Sequence, residues 1–333
     1  MAVFTTVPEI SAKDFISRWP AGAFRSITPI ASGIENTNYF VDTDTGRWVL
    51  TIFEKLTDKT LPFYLSLMEH LGEKGCAVAR PLRTKNGDLF DHYDGKPAIL
   101  TNRLPGEDGR EVTAPTCASM GETLARMHLA VQDFKLWQEN PRGLAWWIET
   151  IPRILPIVPA DIRSGLAHEL QAQIALQGGE AWKALPAGAC HSDLFRNNAK
   201  VSDIGTGHER VTGVFDFFFA GCVPFIYDLA VTMNDWCTDM KTGEFIPERE
   251  KAFLDAYAFV RPLSGLEKQM WRGALCAAAF RFWVSRLSDF YEPRDAALLK
   301  PHDPEEFRRI LVNRQVCDLY WPEASTDGAH ETI

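Results

Sequence analysis

The 333-residue chain has little or none of several things, and each absence removes a class of function. Its seven cysteines are scattered, odd in number and never paired as CxxC. A zinc ribbon or a disulfide framework is therefore not expected, and the thiols should be buried or free in a reducing cytoplasm. Basic residues are not in excess: 35 Lys and Arg stand against 44 Asp and Glu, a formal net charge of −9. An extended nucleic-acid surface needs a basic face, so no nucleic-acid partner is expected. The most apolar stretch, Gly273 to Val284, is broken by Arg281 and is too short to cross a bilayer. The opening MAVFTTVPEISAKDF lacks a basic segment followed by an apolar run. No membrane partner and a cytoplasmic location follow as expectations. Neither a G-x-x-x-x-G-K-[ST] loop nor a G-x-G-x-x-G fingerprint occurs, which excludes the two commonest phosphate-cradling loops. Internal repeats and low-complexity tracts are also missing.

What is present has two textures. Phe15, Ile16 and Trp19 are at helical spacing in a short predicted helix over 11–19. Residues 27–52 read as a strand meander, with β-rich runs at 38–41 and 47–52 around the turn chemistry of Asp42 to Gly46. A helix over 62–74 carries Phe63, Leu67, Met68 and Leu71 on one face, with Pro62 in its first turn. Two more strands are predicted, at Leu89-Phe90 and Ala98–Thr101. A breaker-rich link, Leu104 to Gly109, then leads into a mostly helical region, with helices over 115–131, 162–177, 225–237, 247–259 and 265–290. Two domains are expected, 1–103 strand-rich and 104–333 mainly helical, in an α+β class.

The strongest chemical signal is His191-Ser-Asp193-Leu-Phe-Arg-Asn-Asn198, followed by Val211 to Ala220, read as an apolar strand ending in Asp216-Phe217. Phosphoryl transfer spreads negative charge over oxygens and needs metal ions to neutralise it. Magnesium takes hard oxygen ligands and only a few from protein. Asn198 and Asp216 offer an amide oxygen and a carboxylate for such an ion. Asp193, on the same loop as Asn198, is the group to orient an acceptor hydroxyl and take its proton. His191 is read as packing the loop.

These motifs resemble the aminoglycoside phosphotransferase and choline kinase superfamily, and the resemblance covers nearly the whole chain. It implies a two-lobed protein-kinase-like fold, with a small antiparallel-sheet N-lobe that binds nucleotide and a larger, mainly helical catalytic C-lobe. ATP and Mg²⁺ are the implied cofactors. Leu124-Ala125 through His128 resembles the superfamily's Leu-Ala-x-Leu-His helix, with His128 packed beneath the loop. Tyr227-Asp228-Leu229-Ala230 resembles its following helix, with Asp228 receiving hydrogen bonds from loop backbone. Gly33 and Asn38 belong to a stretch whose Gly and small polar neighbours can let backbone N–H groups approach phosphates, with an ordinary hairpin turn as the alternative. Thr51 stands where such folds usually carry a cation; Lys55 is one substitute and another donor is the alternative, with Glu69 as the cation's partner. Asn102 and Leu104 occupy the segment that would hold adenine.

A finer resemblance is to the homoserine kinases of this superfamily. It rests on Gly33-Ile-Glu-Asn-Thr-Asn-Tyr39, Val49-Leu-Thr-Ile-Phe-Glu-Lys55, Leu61 to Leu71, Asn234-Asp-Trp-Cys237 and Phe280 to Leu287. It implies a small-molecule substrate, L-homoserine, and a monomer or weak homodimer. A zwitterionic substrate needs a cation for its carboxylate. Arg281 and Arg286, on an apolar helix, are candidates for that clamp, or else salt-bridge partners of Asp289 or Asp235. Asn234, Asp235 and Trp236 are candidates for the same cleft, with plain core as the alternative for Trp236. A related kinase of choline, ethanolamine, an aminoglycoside or a sugar, and a catalytically weak ATP-binding regulator, are the rival functions.

Overall fold

The computed structural model describes residues 4–30, 36–109, 111–292 and 302–323. The chain forms two compact units, one of residues 1–106 with 212–215 and one of 107–211 with 216–333. The sequence placed its single break near residue 103 and did not foresee the return of 212–215.

The first unit is an antiparallel sheet with two helices. After α1 (Glu9–Ile16) come β1 (Phe24–Pro29), β2 (Asn36–Thr43) and β3 (Arg47–Phe53). Then follow α2 (Leu61–Glu73), β4 (Asp91–Tyr93) and β5 (Lys96–Asn102). The strand order is β1-β2-β3-β5-β4. Strict alternation along β2 turns Thr37, Tyr39, Val41 and Thr43 inward. Tyr39 and Val41 join Phe15, Ile16, Trp19, Leu50, Ile52 and Leu100 in one core. Helix α1 ends three residues before its expected limit, yet Trp19 stays buried because its indole N–H donates to the Leu82 carbonyl at 3.0 Å. Leu89-Phe90 is not a strand. Pairing begins at Asp91, where Asp94 and Gly95 both take positive φ, the conformation a tight hairpin turn demands.

The second unit is mainly helical. It opens with β6 (Glu107–Asp108), α3 (Ala114–Ala130), α4 (Leu144–Ile154), α5 (Ala160–Gly178) and α6 (Glu180–Lys183). Short strands follow: β7 (Ala187–Cys190), β8 (Ala199–Ser202), β9 (Arg210–Val214) and β10 (Gly221–Pro224). The last residues of β9 return to the first unit, where Val214 bridges Val78. The closing helices are α7 (Phe225–Trp236), α8 (Pro247–Val260), α9 (Gly265–Tyr291) and α10 (Pro304–Val316). Reciprocal capping boxes start α3 (Thr113 with Thr116) and α9 (Ser264 with Glu267). Every residue of α7 is buried, packed against α9. Helices α4 and α10 were not predicted. Pro152 lies inside α4, and α10 is fixed largely by the buried Arg314 guanidinium, which serves Asn234 Oδ1, Thr238 Oγ1 and the Gly243 carbonyl. Among the described residues no helix is long and apolar enough to cross a membrane.

Candidate active site

The loop between β7 and β8 is held in an uncommon shape. Ser192 has a φ of 63°, a left-handed conformation that costs a non-glycine residue free energy. Its N–H donates to Asp228 Oδ1 at 2.6 Å, a charge-assisted bond that offsets the cost. Asp228 is fully buried on α7, and its Oδ2 lies 3.0 Å from His128 Nε2. His128 Nδ1 meets the Tyr257 hydroxyl at 2.7 Å, and that hydroxyl accepts from Arg261, which also pairs with Glu267 at 2.9 Å. The Asp228 carboxylate accepts, so a neutral His128 donates to it from Nε2 and is left with an acceptor at Nδ1 for the Tyr257 hydroxyl proton, while Arg261 donates to a lone pair of that hydroxyl. Burial pushes the His128 pKa below its ordinary 6.5, although Asp228 pulls the other way, in keeping with this neutral imidazole. Cys190 completes a buried triangle with His128 and Asp228 whose ligand atoms lie within 4.8 Å of one another. Burial raises its thiol well above its usual range, and His128 and Asp228 are already hydrogen-bonded to each other.

Further bonds fix the rest of the loop. The Asp193 N–H donates to His191 Nδ1 at 3.2 Å, and the buried His191 ring tilts against Phe217. Asn198 donates from Nδ2 to the Asp193 carbonyl at 2.8 Å. Among the described residues nothing donates to its Oδ1, which is thereby left as a hard acceptor. Asp216 is exposed and also left-handed, with φ 67°, beside the fully buried Phe217. An amide oxygen and an exposed carboxylate are hard ligands of the kind a magnesium ion takes.

The Asp193 side chain is 18% exposed, and its Oδ1 accepts from Arg281 Nη1 at 3.0 Å. Arg281 thus pairs with the candidate base itself, not with Asp289 or Asp235. Arg286 bonds to Glu306 and to the Asp303 carbonyl, and so anchors the start of α10. The α7 trio is likewise committed to the fold. Asn234 bridges the Leu275 carbonyl and Arg314. Asp235 receives the Arg196 N–H at 2.7 Å and its guanidinium at 3.1 and 3.2 Å. Trp236 donates to the Leu194 carbonyl at 3.0 Å. All three are buried, and the last two tether the loop. Each of the three, expected as a candidate for the substrate cleft, is thus engaged in bonds within the fold.

In the first unit, Gly33 lies outside the described residues. Asn38 and Thr51 face each other across β2 and β3, and Thr51 Oγ1 donates to Asn38 Oδ1 at 2.8 Å. Lys55 is exposed just past the end of β3. Glu69 takes two hydrogen bonds from Arg83, both at 2.6 Å, so Arg83 and not Lys55 is its cation. Asn102 Oδ1 accepts from the Arg80 N–H at 2.7 Å, and its own N–H is committed to the Arg80 carbonyl. Leu104 packs on Gly213, where a Cβ would come within 2.6 Å of it.

Three residues that sequence reasoning did not single out lie around Arg281. Phe219 has the Arg281 guanidinium 5.4 Å from its ring centre and that of Arg142 5.6 Å away. Tyr227 is buried, and its hydroxyl has no hydrogen-bond partner among the described residues. Only its place beside Asp228 could have drawn notice.

The sequence profile of the phosphotransferase enzyme family matches residues 26–263. A homoserine kinase of Cupriavidus pinatubonensis is 47% identical over 318 residues, covering 94% of this chain and 96% of that protein. A homoserine kinase of Polaromonas naphthalenivorans is 46% identical over 314 residues, covering 94% and 98%. Among solved structures, an amicoumacin kinase bound to AMP-PNP and Ca²⁺ matches with a TM-score of 0.67 at 17% identity, covering 93% of this chain and 92% of that one. An aminoglycoside phosphotransferase from Alicyclobacillus acidocaldarius matches at 0.63 and 15%, covering 93% and 94%. At such identities the structures speak to the fold alone, which is the kinase-like α+β fold. By the match of its profile and the length and level of these identities, the chain belongs to the phosphotransferase enzyme family, alongside the homoserine kinases.

Proposed function

We propose that this chain transfers the γ-phosphate of ATP to the side-chain hydroxyl of L-homoserine, yielding ADP and O-phospho-L-homoserine. The observation that carries the reading is the 47% identity to homoserine kinases across 94% of the chain. The anchored loop with Asp193 and Asn198 supports it. In this reading the acceptor oxygen forms the new bond to phosphorus as the bond to ADP breaks, and the hydroxyl proton passes to the Asp193 carboxylate. Asn198 and Asp216 would hold Mg²⁺, which when bound neutralises charge on the phosphate oxygens. Residues 1–103 serve as the nucleotide-binding domain, with Asn38, Thr51 and Lys55 on its phosphate side, Glu69 paired with Arg83, and Asn102 at its end next to Leu104. Residues 104–333 serve as the catalytic domain. A small-molecule acceptor and a biosynthetic role in the cytoplasm complete the reading.

The test is ADP release with Mg-ATP against L-homoserine, L-serine, choline, ethanolamine and kanamycin. Turnover confined to L-homoserine is the expected result. Turnover on another member with none on L-homoserine would retain the Asp193 chemistry and overturn the acceptor.

A further inference from the structure

Arg281 lies on α9 and is only 4% exposed. A guanidinium removed from water needs an anion and has several N–H donors to satisfy. Among the described residues Arg281 makes one hydrogen bond, from Nη1 to Asp193. Its flat faces are taken, by Phe282 with the ring centre 3.7 Å away and by Phe219 at 5.4 Å. What remains is the N–H edge, which suits a planar, two-oxygen anion.

A second unsatisfied group lies within electrostatic reach of Arg281 and Asp193. Tyr227 is 4% exposed, its hydroxyl lacks a hydrogen-bond partner among the described residues, and its electrostatic environment is set by Arg281, Asp228 and Asp193. Burial pushes its pKa far up, so it remains a neutral donor. A buried hydroxyl without a partner is costly, and a ligand oxygen would relieve that cost.

The two requirements meet in one acceptor. Its hydroxyl must reach Asp193, and an anionic group a few bonds away must reach the guanidinium that touches Asp193. We propose that Arg281, assisted by Tyr227, reads the carboxylate of the acceptor, and that this carboxylate draws Arg281 off Asp193, so that the base turns to the hydroxyl only when the acceptor carries an acid. This rests on the homoserine kinase reading and adds to it a specificity residue and a condition on the base. The sequence had offered Arg281 as a clamp or as half of a salt bridge; the geometry makes it both, in succession.

The test measures kcat/KM for L-homoserine and for 3-aminopropan-1-ol, the same molecule without its carboxylate, at saturating Mg-ATP. The unaltered protein is expected to prefer L-homoserine by about 100-fold or more. Arg281→Gln is expected to shrink that preference to within about 10-fold, because homoserine loses its clamp while the truncated acceptor had none to lose. Loss of both activities by one common factor would mean that Arg281 only positions Asp193, and would overturn the proposal. A second measurement does not depend on the variant folding. L-homoserinamide keeps the shape of the substrate without its charge, and with the unaltered protein its kcat/KM should fall about 100-fold, mainly through KM. Equal use of amide and acid would overturn the proposal while leaving homoserine kinase activity intact. No turnover of L-homoserine at all would overturn the underlying reading, and this proposal with it.

Discussion

Because the Arg281 guanidinium is buried against Asp193, a substitution at Asp193 changes two things at once. Asp193→Asn keeps an oxygen for Arg281 but removes the proton acceptor. It is expected to lower kcat by about 1,000-fold with a small change in melting temperature. Asp193→Ala leaves the cation without an anion and is expected to cost roughly 3 kcal/mol of stability as well, read by chemical denaturation. His128 gives a pH signature. Its folded-state pKa lies below its ordinary 6.5, so the unfolded chain binds a proton more readily than the native one. Stability should therefore be full above about 6.5 and fall as pH drops through that value toward the depressed folded pKa. Denaturation midpoints of the unaltered protein and of His128→Asn, measured between pH 7.5 and about 5, should show a shallower acid-side loss in the variant. Of the candidate site at this scale, Asp193, Asn198 and Asp216 are proposed from the sequence because phosphoryl transfer needs a proton acceptor and oxygen ligands for a metal. Asp235 and Trp236 hold the backbone of residues some forty positions away, and no local pattern records that.

Secondary-structure elements fix how accurately the loop is held. Helix α3 carries His128 and lies against α8, which supplies Tyr257. Their close approach depends on Gly121, where a Cβ would fall 2.3 Å from the Phe253 carbonyl oxygen. Since that neighbour is backbone, Gly121→Ala must part the helices. It is expected to destabilise by about 2 kcal/mol and to weaken turnover through the His128 to Asp228 chain. Helix α9 starts at a reciprocal capping box, and Ser264→Ala should cost about 1 kcal/mol with kinetics near those of the unaltered protein. The contrast separates helix stability from loop geometry. Most helices are legible from their periodicity. Helix α10 is not, because its place depends on Arg314, whose pKa is pushed down to about 10 by burial and whose acceptors come from distant segments.

Across the whole molecule, nucleotide and metal should act together. If ATP binds only with magnesium to the folded chain, Mg-ATP at about 100 times its Kd should raise the unfolding free energy by about 2.7 kcal/mol. Chelation of the metal should abolish both that gain and ADP release. Thermal melting with and without EDTA checks the first, and the coupled assay the second. A rise with ATP in EDTA equal to that with Mg-ATP would remove Asn198 and Asp216 from the metal assignment.

The sequence by itself determined the α+β class, the order of strand-rich and helical segments, and the family. Those depend on periodicity, turn chemistry and short motifs, all of which are local. Tertiary structure alone decided what each polar group is bonded to. It joined Arg281 to Asp193 and Glu69 to Arg83, and it committed Asn234, Asp235 and Trp236 to the scaffold. Such choices are made by burial, where a donor or a charge must find its partner at hydrogen-bond distance whatever the separation along the chain.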